Sequence, residues 1–269
     1  MFARRAPMRQ AVRNILALIG LFLMITSFIW MERIPKPQSA RLRMTQPSGT
    51  PGPFAVVILD PGHGGQDSGA MCGGVLEKDL TLDVAHRVDR LLEAEGIATA
   101  MTRLGDTYVS LADRAAFANR VSDCIFISIH FNEDNRPVSS GVETYYAAHQ
   151  MTPGSFVTSW LPSLLRALPE SPNVESQSLA GFIQEALVAR TGAVDRGTIA
   201  KQFFVIANVT SPAVLIEGGF LTNKEDISKV ASEDYREQIA AAVTEGILRY
   251  RDAAKQRQST LAVTDPGKR

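Results

Sequence analysis

Short apolar runs alternate along this chain with longer stretches whose apolar residues recur every three or four positions. The first run, Phe54 to Leu59, ends abruptly in "DPGHGG". The four apolar residues Val56 to Leu59 that close it match a strand buried on both faces, and the aspartate, proline and glycine that follow are turn formers. Next comes a helix over about Asp79 to Glu95, with Leu80, Val84, Val88, Leu91 and Leu92 on one face and Gly96 closing it. "IATAMTR" reads as a second strand, and "SLADRAAFANRV" as a helix with Ser110 at its N-cap. "CIFISIH" repeats the first strand's pattern and ends at His130, and "GVETYYAA" is a further strand. A helix over about Ser176 to Arg190, strands at "FFVIA" and "AVLIE", and a long helix near Tyr235 to Arg251 follow. Helices alternating with apolar strands predict a single three-layer α/β domain over residues 54–254, a largely parallel central sheet flanked by helices. Residues 255–269 have no periodicity and read as a disordered tail.

The first fifty residues follow another rule. Arg4, Arg5, Arg9 and Arg13 precede "ILALIGLFLMITSFIWM", an uncharged stretch over residues 15–31. That is the pattern of an export signal or a membrane anchor. An uncleaved anchor is favoured, because the apolar run is long for a signal core and Gln38 interrupts any A-x-A cleavage site. Residues 1–34 then form a cytoplasmic stub and anchor. Residues 35–53, rich in proline, serine, glycine and threonine, form a linker, and everything beyond is exported to the periplasm or cell envelope.

Charge removes one class of partner. Lysine plus arginine equals aspartate plus glutamate at 28 each, so a nucleic acid is not expected. Cys72 and Cys124 form no CxxC pair and no zinc-ribbon spacing. The four histidines sort by position. His86 falls about 160° from the apolar stripe of its helix, and His149 enters a polar loop. His63 and His130 each end an apolar strand; if those strands are parallel, both imidazoles stand on one rim, a start for a zinc or other transition-metal site. Glu77, at the mouth of the first helix, is either a third ligand or a carboxylate that complements the helix dipole. Glu217 ends the strand "PAVLIE" before two glycines. It suits a catalytic base beside a metal; the alternative is a buried salt bridge, for instance with Arg103 or Arg114. The helical HExxH zinc motif is absent.

Taken together, "ILDPGHGGQDSGA", "EKDLTLDVA", "LADRAAFAN", "ISIHFN", "GVETYY", "DRG" and "PAVLIEGGFLTN" resemble the zinc-dependent N-acetylmuramoyl-L-alanine amidases, the family of the bacterial cell-division amidases. The resemblance spans nearly all of Val56 to Tyr250. It implies that His63, Glu77 and His130 bind one zinc and that Glu217 is the catalytic glutamate. The implied substrate is the amide between the lactyl group of muramic acid and the L-alanine of peptidoglycan. Asp67, Arg114 and Asn119 within these motifs, and Arg103 in the "TR" that also belongs to the pattern, read as groups that fix loops. Two departures stand out. Phe131, Asn132, Glu133 and Asp134 follow His130 where the family usually carries small residues. Residues 159–176 place Leu161, Leu164, Leu165 and Leu168 at one-face helical spacing. In some relatives a helix in this part blocks the zinc until a partner protein removes it, so ordinary packing and a lid are the two readings of this segment, and a protein activator is an expectation. The alternatives are a zinc hydrolase of another wall bond and a catalytically silent wall-binding regulator.

Overall fold

The computed structural model describes residues 19–24, 26, 52–150 and 173–264, and the chain divides into two units, Met1–Ser39 and Ala40–Arg269. In the first unit residues 19–24 are helical, with Phe22, Leu23 and Met24 more than 60% exposed. No helix among the described residues is long and apolar enough to cross a membrane. Most of the expected anchor over residues 15–31, the expected linker up to residue 51 and nearly all of the expected lid lie outside the described residues.

The second unit is built on a six-stranded sheet. Its strands are β1 (Val56–Pro61), β4 (Ala98–Met101), β5 (Cys124–Asn132), β6 (Val142–Tyr146), β7 (Asp195–Ala200) and β8 (Ala213–Phe220), in the order β4-β1-β5-β8-β6-β7. All neighbouring pairs are parallel except β6 with β8. The hairpin β2 (Met71–Cys72) and β3 (Val75–Leu76) stands apart, turned by Gly73 and Gly74 at φ +59° and +85°. One sheet face packs on α1 (Glu77–Ala94), α3 (Val174–Thr191) and α6 (Glu233–Thr264), through Val84, Val88, Ile183, Leu187, Ile239 and Val243. Alternate strand residues, among them Ile58, Phe126 and Leu215, pack on α2 (Leu111–Ala118) and α4 (Phe204–Ala207). Apolar on both faces, the central strands are sandwiched as their continuous runs require. This is the expected three-layer architecture. Helix α5 (Lys224–Val230), which precedes α6, is capped by Asn223, whose side chain accepts from the amides of Glu225 and Asp226.

Two expectations need correction. "FFVIA" is not a strand: residues 204–207 form α4, with Val205, Ile206 and Ala207 buried and Phe204 39% exposed. A short apolar run has no period long enough to separate strand from helix, and packing on the sheet decides. Residues 255–264 are not a disordered tail either, because α6 continues to Thr264. The stretch "AAKQRQSTLA" contains no glycine or proline, and Arg257 holds it to the domain by pairing with Glu175 at 2.9 Å. Ser110 does cap α2, accepting from the Asp113 amide.

Candidate metal centre

Parallel pairing of β1 with β5 sets Pro61 beside Ile129, so the loop after β1 and the end of β5 share one rim. His63 and His130 meet there, ring centroids 4.9 Å apart and edge to face. Glu77 opens α1 directly beneath them. Its Oε1 lies 2.9 Å from His130 Nδ1 and its Oε2 3.1 Å from His63 Nε2. The same carboxylate accepts from the backbone amides of Phe131 and Ala70, at 3.1 and 2.9 Å. Burial opposes its ionisation, yet the hydrogen bonds and charge of His130 and His63 outweigh that and hold the carboxyl far below the usual range. His63 is affected in the opposite sense. Burial disfavours its charged form, but Glu77 and then Asp67 raise it above its ordinary 6.5.

One atom from each of His63, Glu77 and His130 can be chosen so that all lie within 4.8 Å of one another. A tetrahedral zinc with bonds of about 2.0–2.2 Å needs nitrogen and carboxylate donors about 3.3–3.5 Å apart, so the donor set fits such an ion with a small adjustment. Asp67 Oδ2 sits 2.9 Å from His63 Nδ1, so that nitrogen carries the proton and Nε2 turns to the cluster. Glycine is required close by. A Cβ on Gly62 would stand 2.2 Å from His130 Cε1, and one on Gly69 2.4 Å from Glu77 Oε2.

The loop that carries His63 is clamped from below by two buried arginines. Arg103 donates through Nε to the Pro61 carbonyl at 2.9 Å and through Nη2 to the Gly62 carbonyl at 2.8 Å. Arg114 donates to the Pro61 and His63 carbonyls at 2.7 and 2.6 Å, and its Nη1 pairs with buried Asp60 at 2.7 Å. Neither arginine pairs with Glu217, so the salt bridge considered from sequence does not form. Asn119 lies away from the cluster, tying α2 to residues 208 and 210. Arg114→Met is expected to destabilise the fold by about 3–5 kcal/mol in urea denaturation, because Asp60 would stay buried without its counter-charge.

Glu217 pairs in register with His130 across β5 and β8, and with Glu143 across β6. Its Oε2 is buried and has no hydrogen-bond partner among the described residues. Burial first, then the nearby charges of Glu77 and Glu143, push its carboxyl well above the ordinary range, while Lys201 pulls the other way. A buried carboxylate oxygen without a partner costs free energy that packing alone does not explain. Glu143 is different, with every oxygen engaged: Oε1 accepts from Asn132 Nδ2 and Tyr145 OH, and Oε2 from Arg196 Nε, each at 2.6 Å. Sequence reasoning did not single out Glu143 or Arg196, although both lie inside quoted motifs. Asp134, one of the residues that depart from the family pattern after His130, is drawn into its own loop by Ser139 at 2.6 Å and Arg136 at 3.2 Å. His86 is half-buried, its Nε2 3.3 Å from the Leu104 carbonyl, and Cys72 and Cys124 are both free thiols.

A family model described as N-acetylmuramoyl-L-alanine amidase matches residues 57–249, the span that holds all four of these side chains. The chain belongs to this family. Among its amidase relatives, N-acetylmuramoyl-L-alanine amidase LytC of Bacillus subtilis is 35% identical over 194 residues, covering 72% of this chain but only 35% of LytC. The chain thus spans about a third of that relative's length. A solved amidase from Clostridium difficile 630 is 32% identical, with a TM-score of 0.62 over 74% of this chain and 98% of that one. The amidase CwlD from Clostridioides difficile, solved in complex with the GerS lipoprotein, is 25% identical, with a TM-score of 0.63 over 74% of this chain and all of that one. Amidase catalytic domains therefore share the fold described above.

Proposed function

We propose that this chain hydrolyses the amide between N-acetylmuramic acid and L-alanine of peptidoglycan, with His63, Glu77 and His130 holding one zinc and Glu217 acting as general base and acid. The observation that carries the reading is the partnerless Glu217 Oε2, buried on the strand next to His130. Bound at the cluster, zinc supplies Lewis acidity that polarises the scissile carbonyl and acidifies water. Glu217 Oε2 takes the proton of the attacking water and returns it to the departing amine of L-alanine. Its raised proton affinity favours acceptance of that proton. Asp67 keeps the His63 ring in its ligating tautomer, and Arg103 with Arg114 keep the loop in place.

Family membership supports an envelope location. A membrane tether over residues 15–31 is part of the same proposal, supported by the uncharged run and by the exposed apolar side chains of residues 21–24. A protein activator is also proposed, since CwlD was solved with GerS.

Mass analysis of digested peptidoglycan tests the activity. Free stem peptides with an L-alanine amino terminus support it. Released D-alanine or acetate identifies another wall hydrolase, and intact wall a binding protein. Metal affinity should also fall with acidity. Below its raised pKa the His63 ring is protonated and must lose that proton to bind, so the affinity is expected to weaken as pH drops, starting above 6.5. Titration with zinc between about pH 8 and 5 checks this, and an affinity independent of pH would contradict the His63 assignment.

A further inference from the structure

The edge strand β7 contributes nothing to the metal cluster, yet it brings two cations towards Glu217. Arg196 is fixed from behind. Its Nε donates to Glu143 Oε2 at 2.6 Å, and its guanidinium lies 4.8 Å over the Phe220 ring. Glu143 is itself only 2% exposed and stands opposite Glu217 in register. The tip of Arg196 stays open: the side chain is 34% exposed, and Nη1 and Nη2 find no acceptor among the described residues.

Lys201 follows β7 directly. Its ammonium sits 4.5 Å from the centroid of Phe203 and 5.5 Å from that of Tyr145, and the residue is exposed. No carboxylate among the described residues pairs with it at contact distance, although its charge is felt at Glu217. Tyr145 links the two cations, with its ring beside Lys201 and its hydroxyl on the carboxylate that holds Arg196. Were these cations present only to offset Glu143 and Glu217, both would be spent on carboxylates. Lys201 pairs with none, and Arg196 uses one of its five donors. A cation held against aromatic rings has lost part of its hydration and keeps its charge, which favours an incoming anion. The guanidinium fork adds a matching geometry for a carboxylate.

In the amidase reading Glu217 returns a proton to the L-alanine amine, so the peptide side of the bond lies towards Glu217, where β6 and β7 stand. Stem peptides carry a carboxyl group on the residue after L-alanine, free in some walls and amidated in others. We infer that Lys201 and Arg196 form a subsite for that free carboxylate, so that the enzyme selects unamidated stems. The inference rests on the amidase reading for its substrate.

The test compares two synthetic muramoyl dipeptides, identical except for a free or an amidated carboxyl after L-alanine, with the zinc-loaded full chain. The free acid is expected to show a kcat/KM about tenfold higher or more, the size of one charge-assisted hydrogen bond, with the difference carried by KM. In Lys201→Gln that ratio should fall to within about threefold of one, and Lys201→Arg should restore most of it. Rising salt should shrink the ratio in the unaltered protein. A ratio near one in the unaltered chain, or one that survives Lys201→Gln, overturns the subsite. Calorimetry with the two released dipeptides reads the subsite without turnover. Tighter binding of the acid, lost in Lys201→Gln, upholds it, and equal binding overturns it. Failure to cleave either compound, with acid-selective binding intact, counts against the amidase reading alone.

Discussion

Glu217→Gln is expected to lower kcat on peptidoglycan by about 10²- to 10⁴-fold, the range typical of removing a general acid–base group, while zinc remains bound one to one. The substitution keeps the shape of the side chain and removes the ability to accept a proton. It should also remove a buried charge, because burial and the negative charges of Glu77 and Glu143 disfavour the ionised carboxylate. A thermal melt at least as high as that of the unaltered chain is therefore expected alongside the lost rate. Metal content, melting temperature and peptide release, measured on one preparation, separate this outcome from general damage. Lost metal would move Glu217 into the ligand set, and an unchanged rate would remove it from the reaction.

Glu77→Gln should act on the metal instead. The carboxylate is the one anionic member of the cluster, and its two oxygens also accept from the Phe131 and Ala70 amides, so a glutamine of the same shape preserves part of the local scaffold. Zinc affinity is expected to fall by more than about 100-fold, beyond the loss typical of altering a residue that only orients a ligand. Wall hydrolysis should fall with it and recover in part at high zinc. Equilibrium dialysis reads the affinity and peptide release the rate. Retained affinity would show that Glu77 only complements the first turn of α1, the other role its position allows.

Much of the fold could be read because the core strands are apolar on both faces, which makes runs such as "VVIL" and "CIFISI" stand out, and because α1 and α6 carry long amphipathic stripes. The elements missed carry weaker or contrary signals. In β7, "DRGTIA" alternates exposed and half-buried residues around a glycine, as an edge strand does, and nothing in its composition marks a core. The β2–β3 hairpin did have a signal, the "GG" between two short apolar pairs, but two residues per strand are too few for a period. For α4, the run "FFVIA" of five apolar residues fitted either state. The cluster was legible for a related reason. His63 and His130 sit at ends of strands whose parallel pairing could be inferred, which brings them together without knowledge of side chains. The support around them was not legible as geometry. Arg103 and Arg114 grip main-chain carbonyls, and Glu143 is held by Asn132, Tyr145 and Arg196, contacts that spacing does not encode.

His63 has φ +59°, and Arg114 grips its carbonyl at 2.6 Å. Left-handed backbone is tolerated best by glycine, asparagine and aspartate, with histidine next, and poorly by side chains that branch at Cβ. In the proposed zinc site, exchanging this histidine for another donor thus meets a conformational filter before any coordination chemistry applies. Aspartate passes that filter more easily than glutamate or cysteine, yet its shorter side chain falls short of the place that Nε2 holds, so this histidine has no simple replacement as a donor.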